Sequence, residues 1–234
     1  MSLDDREQVR QQYATEDNLQ TRLSVWHATL DGREPSTEAL GVVVAAHPTA
    51  VLEVGCGTGA FAARIGAALP DADLVAIDLS ERLVDLTASR GVEARLADVQ
   101  DLPFDDESFD VVTAMWMLYH VPDLHLGLSE IRRVLRPGGT FVTTTNGDEH
   151  VADLRRDAGG EAVHTHFSCE NGQDALLHHF EHIEQTDLPT RAIFPDHAAA
   201  VAYLRSSHED IAWRLPPFDG PREYAGHSTI FVAR

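Results

Sequence analysis

A glutamate leading into alternating glycines, and two aspartates that each close a short apolar run, are the residues of this chain best suited to hold a ligand. Val51-Leu52-Glu53-Val54-Gly55-Cys56-Gly57-Thr58-Gly59 passes from an apolar run through a carboxylate into a turn with three glycines in five positions. Glycine reaches backbone angles closed to other residues and leaves no side chain in the way, so a ligand can lie against the main chain there. Asp78 closes the run Leu74-Val75-Ala76-Ile77, and Asp98 closes Val92 to Ala97. Carboxylates so placed accept hydrogen bonds from hydroxyl or amino donors. Gly55, Gly57 and Ala60 also satisfy the dinucleotide fingerprint, with Asp78 at ribose-gripping distance, so the turn by itself does not choose between cofactors.

These residues need strands and helices to position them. Thr58 to Leu69 carries Phe61, Ile65 and Leu69 four apart, the mark of an amphipathic helix packing back on the preceding strand. Upstream, Leu19, Leu23, Trp26 and Leu30 recur at helical spacing and predict a docked N-terminal helix. A second helix is expected over Ser36 to His47, capped by Ser36 and stopped by Pro48. Downstream, Leu74 to Ile77, Val92 to Ala97, Phe109 to Ala114 and Thr140 to Thr145 have strand character. Ser80 can cap the helix carrying Leu83, Val84 and Leu86, and Leu124, Leu128, Ile131 and Leu135 mark another helix, terminated by Pro137-Gly138-Gly139. Most of the six acids from Asp98 to Asp110 are expected to be solvated. Strand over Ile183 to Phe194, helix over Asp196 to Ser206 and strand over His227 to Ala233 complete the chain. Alternating strands and helices imply a parallel sheet covered on both faces.

Composition narrows the partners. The 234 residues carry a formal net charge of -20, and all 18 basic residues are arginine. Such a surface repels phosphate backbones and anionic membranes, which disfavours nucleic acid and lipid and favours a neutral or cationic small molecule. No apolar run reaches the roughly 18 residues that cross a bilayer, and the N-terminus lacks a signal-peptide pattern, so a cytoplasmic location is expected. Two distant cysteines argue for reduced thiols. His164, His166 and Cys169 match no structural zinc pattern, and no metal is expected.

Glu53 before the turn, Asp78 and Asp98 at successive strand ends, and Leu135-Arg136-Pro137-Gly138-Gly139 before the fifth strand together resemble the class I S-adenosylmethionine-dependent methyltransferases, in their bacterial small-molecule branch. The resemblance covers about Pro48 to Thr145, with a looser match at Phe167 to Gly172 and Phe194-Pro195-Asp196. It implies a Rossmann-like α/β fold: a seven-stranded, mostly parallel sheet with helices on both faces and an antiparallel last strand. Residues 1–47 would form a helical lid and 48–234 the methyltransferase domain, with a cap-like insertion around 147–179, one domain overall. A dehydrogenase is disfavoured, because it would need a separate substrate region that this length barely allows.

The resemblance also assigns roles. Gly55, Gly57 and Gly59 would let the methionine part of S-adenosylmethionine approach the backbone, with Glu53 steadying the turn or meeting the ammonium group through water. Asp78 would accept from both ribose hydroxyls, Leu79 would pack on the adenine, Asp98 would accept from the adenine amino group, and the Val99 backbone would meet the ring edge. Tyr13 and Arg22 are candidates for the cofactor carboxylate. Met115 to Val121 would border the transferring methyl, with Met115 on the cofactor, His120 as general base, and Trp116 and Tyr119 lining the acceptor pocket. The Asn/Asp-Pro-Pro-aromatic motif of nucleic-acid amino-methyltransferases is absent. An amine-bearing small molecule is the expected acceptor, with O- or C-methylation of a quinone or phenol as the alternative. A non-catalytic cofactor-binding module is the competing class.

Overall fold

The computed structural model of the protein describes residues 16–206 and 211–234. Its elements are α1 (Glu16–Leu23), β1 (Trp26–His27), α2 (Pro35–Ala45), β2 (Ala50–Val54), α3 (Ala60–Ala68), β3 (Asp73–Asp78), α4 (Glu81–Ala88), β4 (Glu93–Leu96), β5 (Phe109–Met115), α5 (Leu124–Val134), β6 (Leu135–Asn146), α6 (Ala152–Asp157), α7 (Gly172–Leu177), β7 (Ile183–Leu188), β8 (Arg191–Phe194), α8 (His197–Ser206), β9 (Arg222–Ala225) and β10 (Ser228–Ala233).

Seven strands form one sheet in the order β4-β3-β2-β5-β6-β10-β7. Pairings from β4 across to β6 are parallel, while β10 runs antiparallel to both β6 and β7. β2 is buried at every position, as a central strand covered on both faces must be. The chain winds outward from β2 to β3 and β4, then returns to the other side of β2 to lay down β5 and β6. The switch therefore lies between β2 and β5, and a ligand crevice is expected beyond their carboxyl ends. On one face Leu128 and Ile131 of α5 pack with Phe141 and Phe231. On the other, Val43 of α2 and Ile65 of α3 pack with Val51 and Val142.

A second, three-stranded antiparallel sheet, β1-β8-β9, draws on distant parts of the chain, with Trp26 opposite Ala192 and Ala192 opposite Tyr224. Phe194, Tyr203, Leu204 and Tyr224 form its own core with Val151 and Leu154. Several sequence expectations change here. The expected N-terminal stripe is not one helix, because α1 ends at Leu23, Trp26 enters a strand and Leu30 is 88% exposed. Ile183 to Phe194 is not one strand, since Pro189 and Thr190 separate β7 from β8 and the two join different sheets. The cap of α2 is Glu34, not Ser36, with Pro35 opening the helix, and the Ser36 and Thr37 hydroxyls donate to the Glu34 carboxylate. Pro137-Gly138-Gly139 does not end α5, which stops at Val134. The triplet lies inside β6, where the pairing register with β5 shifts between Phe109 and Val111. Ser80 does cap α4, accepting from the Leu83 N–H at 3.4 Å.

Most of the acids in the loop, Asp101, Asp105, Asp106 and Glu107, are exposed as expected, and the loop is also tied down by arginine. Arg133 bonds Glu130, Asp106 and the Phe104 and Leu102 carbonyls. At the amino ends of the central strands, opposite the crevice, Asp110 Oδ2 accepts from the Thr49 N–H and hydroxyl and the Ala50 N–H at 2.7–3.0 Å, while Oδ1 accepts from Arg136 at 2.7 Å. Despite some opposing desolvation, these donors hold the Asp110 carboxyl well below the usual carboxylate range. A depressed carboxyl stabilises the fold above the unfolded-state pKa and loses that contribution as pH falls. Asp110→Ala should cost about 1–3 kcal/mol at pH 7. Thermal melts should show the gap to the parent closing as pH falls from 5 towards 2, and a constant gap would remove the ionic part of this account.

Candidate active site

Beyond the carboxyl ends of β2, β3 and β5 lies a cavity of about 1340 Å³, larger than the roughly 300–1,000 Å³ of a pocket for one drug-sized ligand. Its residues come from both sheets. Glu53, Gly57, Asp78 and Asp98 lie on one part of the lining, and Trp26, Trp116, Tyr119, His150 and Tyr203 also line it.

The glycine turn is built for tight packing. Gly55, Gly57 and Gly59 all have φ between 54° and 71°, the left-handed region where glycine pays no steric penalty. A Cβ on Gly55 would come within 2.7 Å of Met117 Cγ, and one on Gly59 within 2.8 Å of the Thr87 Cα. Gly59 is not among the lining residues; its lack of a side chain lets α3 start against α4. The Gly57 N–H donates to Asp78 Oδ2 and the Ser80 N–H to Oδ1, each at 3.0 Å. Turn and second strand are thus locked through one carboxylate.

Two acids share this low-dielectric ground. Glu53 is 1% exposed, with Oε2 buried and without a hydrogen-bond partner. Burial first, and the Asp78 charge second, push its carboxyl up to about 8. Burial also raises the Asp78 carboxyl, against the pull of the Gly57, Ser80 and Leu79 N–H groups. Cys56 in the same turn is buried, and its thiol is pushed up to about 12, so it has the character of a packing residue and not of a nucleophile.

Asp98 lies beyond β4 in a bridge with Asp101, and Gln100 donates to its carboxylate from both backbone and side chain. Leu79, 39% exposed, and Val99 also line the cavity. Met115 ends β5 and lines the cavity as well. Trp116 follows with φ 53°, a conformation costing about 1–3 kcal/mol at a bulky residue. Its indole N–H donates to Asn146 Oδ1 at 3.0 Å, and Asn146 also accepts from Ser228 at 3.0 Å. His120 lies in the short 3-10 turn Leu118–His120, its ring edge-on to Tyr119 at 4.5 Å. Arg22 lines the cavity while Nη2 donates to the Ser206 carbonyl at 3.0 Å. Tyr13 lies outside the described residues. Trp26, Asn146, His150, Arg155, Thr190 and Tyr203 are lining residues that sequence reasoning missed. The polar stretch after Asn146 flagged the region, but no spacing singled out its members. His164 pairs with Asp148, and among the described residues no group of three or more His, Cys, Asp or Glu could hold a metal. No helix among them is long and apolar enough to cross a membrane.

Residues 52–143 match the family model described as "Methyltransferase domain". A demethylmenaquinone methyltransferase of Clavibacter sepedonicus is 38% identical over 131 residues, which cover 54% of this chain and 51% of that protein. The chain spans about half the length or less of the curated relatives it matches. Among solved structures, the YcgJ protein of Bacillus subtilis superposes with a TM-score of 0.60 at 18% identity, over 84% of this chain and 97% of that one. The [4+2]-cyclase SpnF also gives 0.60, at 20% identity over 97% and 96% of the two chains. These likenesses show the fold. Over residues 52–143 the chain thus carries a methyltransferase domain that resembles the class I S-adenosylmethionine-dependent enzymes, and beyond that span the likeness is one of fold.

The residues present fit S-adenosylmethionine. Two buried carboxylates, one with an orphaned oxygen, suit a cofactor bearing a sulfonium and an ammonium group and a ribose diol, and the glycine turn offers bare main chain. The raised Glu53 carboxyl carries a stability signature. The folded protein holds that proton more tightly than the unfolded chain, so its contribution is present below about pH 4.5 and is lost as pH rises through about 8. Without cofactor, Glu53→Gln should therefore gain on the parent between pH 5 and 9, by about 2–4 °C in Tm per kcal/mol. A pH-independent difference would mean that Glu53 does not carry this penalty. Asp78→Ala should weaken S-adenosylmethionine binding about 10–100-fold in calorimetry, and unchanged affinity would refute its ribose role.

Proposed function

We propose that the protein methylates a small, planar, oxygen-bearing aromatic acceptor of the quinol or phenol kind, using S-adenosylmethionine. The observation that carries this reading is that the acidic glycine-turn cradle and an aromatic chamber belong to one cavity, large enough for two ligands. The similarity to a demethylmenaquinone methyltransferase supports a quinone-type acceptor over the amine first expected from the net charge.

S-adenosylmethionine, when bound, supplies an electrophilic methyl group on a sulfonium sulfur. The chain's task is to hold the acceptor atom in line with that methyl and exclude water. Glu53, Gly55, Gly57, Asp78, Leu79, Asp98, Val99 and Met115 hold the cofactor in this reading, with Arg22 towards its carboxylate. Trp116 and Tyr119 flank the acceptor. A hydroxyl or an enol carbon attacks only as its proton leaves, and His120 takes that proton. Within the N-terminal stretch read from sequence as a lid, α1 and β1 serve as lid while α2 packs on the sheet as part of the domain; the segment around 147–179 acts as cap over this one domain, and the enzyme works in the cytoplasm.

Transfer of labelled methyl groups to 1,4-dihydroxynaphthalene, with alkylamines in parallel, tests the reading. The naphthalenediol should be methylated, and His120→Ala should lower kcat about 10²-fold while leaving cofactor affinity unchanged. Transfer to amines alone would overturn the acceptor class. Cofactor binding without transfer to any acceptor would favour the binding-module reading.

A further inference from the structure

His150, a titratable group deep in the cavity, has no part in the proton transfer assigned to His120. Its ring stacks on Trp26, with centroids 4.2 Å apart and planes at 29°, and Trp26 meets Tyr203 edge-on at 6.2 Å. Both neighbours line the cavity with it. Nδ1 lies 3.1 Å from the backbone N of His227 and 2.9 Å from its carbonyl oxygen. Hydrogen-bond accounting decides between the two tautomers. The His227 carbonyl already accepts from the Gly147 N–H at 3.1 Å, whereas the acceptor for the His227 N–H is His150 Nδ1. A main-chain donor in the interior is rarely left unmatched, so Nδ1 is the acceptor and the ring proton is on Nε2.

The surroundings keep that ring uncharged. Burial first, with the neighbouring Arg155 and His227, moves the imidazole down to about 3, and the His227 N–H aimed at Nδ1 opposes a proton there. Arg155 on α6 donates from Nη1 to the His150 carbonyl at 2.8 Å. The adjacent Glu149 is engaged by Arg156 at 2.6 and 2.8 Å. Trp26 of β1, which stacks on the ring, and Tyr203 of α8, which packs edge-on against Trp26, bring no charge. The result is a fixed aromatic plate with one remaining polar atom, an N–H donor, on a residue of the cavity wall.

We propose that His150 is a specificity-determining residue: its Nε2–H donates a hydrogen bond to a carbonyl, hydroxyl or phenolate oxygen of the planar acceptor. The inference rests on the acceptor class proposed above, and it gives the chamber two imidazoles with different work. His120 moves a proton, while His150 recognises an oxygen without changing charge. A buried donor of this kind discriminates strongly against an analogue that lacks the matching oxygen.

Two measurements on the full chain test this. Nitrogen-detected NMR of the histidine rings should show His150 as the neutral Nε2–H tautomer throughout pH 5–8; a ring protonated on Nδ1, or one that titrates in that range, would overturn the proposal. The second measurement compares binding of 1,4-naphthoquinone and naphthalene to protein loaded with S-adenosylhomocysteine. The parent should prefer the quinone. His150→Asn keeps an acceptor for the His227 N–H but loses the Nε2 donor, and should lower that preference about five- to tenfold. His150→Gln carries an amide donor near the Nε2 position and should restore most of it, with S-adenosylhomocysteine affinity unchanged in both. A parent that prefers the quinone beside an Asn variant that prefers it equally would overturn the His150 role and leave the acceptor class standing. A parent without any preference would overturn the acceptor class and the recognition role together, even with the tautomer as expected.

Discussion

Two carboxylates buried within one charge-sensitive pocket are the constraint on which the rest of this structure depends. Glu53 and Asp78 lie on adjacent parallel strands and are withdrawn from water, and the Asp78 charge adds to the burial penalty on Glu53. Nothing about folding favours such an arrangement, since a buried charge needs a partner or gives up its ionisation. The turn answers part of the demand, because its left-handed Gly57 brings a main-chain N–H to Asp78, and Ser80 beyond the strand adds a second. Glu53 Oε2 keeps an unmet demand that a cationic ligand would satisfy. A site that is costly when empty is a site organised around its ligand, and the sheet switch between β2 and β5 gives that ligand its place.

The chamber beside it follows a different logic. Its walls come from Trp26 near the start of the chain, Trp116 after β5, His150 after β6 and Tyr203 in α8. A small antiparallel sheet holds Trp26 in β1 and leads through β8 into α8, so the aromatic surface depends on pairings between residues more than 160 positions apart, such as Trp26 with Ala192. Trp116 is held by its strained backbone and by Asn146, which Ser228 anchors in turn. The cradle is a local product of strand, turn and helix, whereas the chamber exists only once the second sheet has formed. That separation allows one cradle to serve many acceptors. The shared architecture with a [4+2]-cyclase makes the same point, since chemistry is set by the chamber and not by the fold.

What the sequence determined by itself was the cradle and the sheet around it. The apolar run ending in Glu53, the glycine spacing and the aspartates at strand ends are contiguous signals, because a strand, a tight turn and an amphipathic helix each carry their geometry in neighbouring residues. The seven mostly parallel strands and the antiparallel final strand followed from the family resemblance and match the structure, while the strand order came from the fold. Errors gathered where local pattern and tertiary demand diverge. Trp26 sits at helical spacing but pairs in a strand. Pro137-Gly138-Gly139 resembles a helix stop but is absorbed as a shifted stretch of β6, and Pro189 divides a strand-like run between two sheets. Arg136 and Asp110 carried no local sign of the clamp they form. Only the folded chain decided that His150 stacks on Trp26 with its Nδ1 occupied by His227. The physical reason is that hydrogen-bond partners and ring contacts across dozens of residues leave no periodicity in sequence, whereas backbone conformation does.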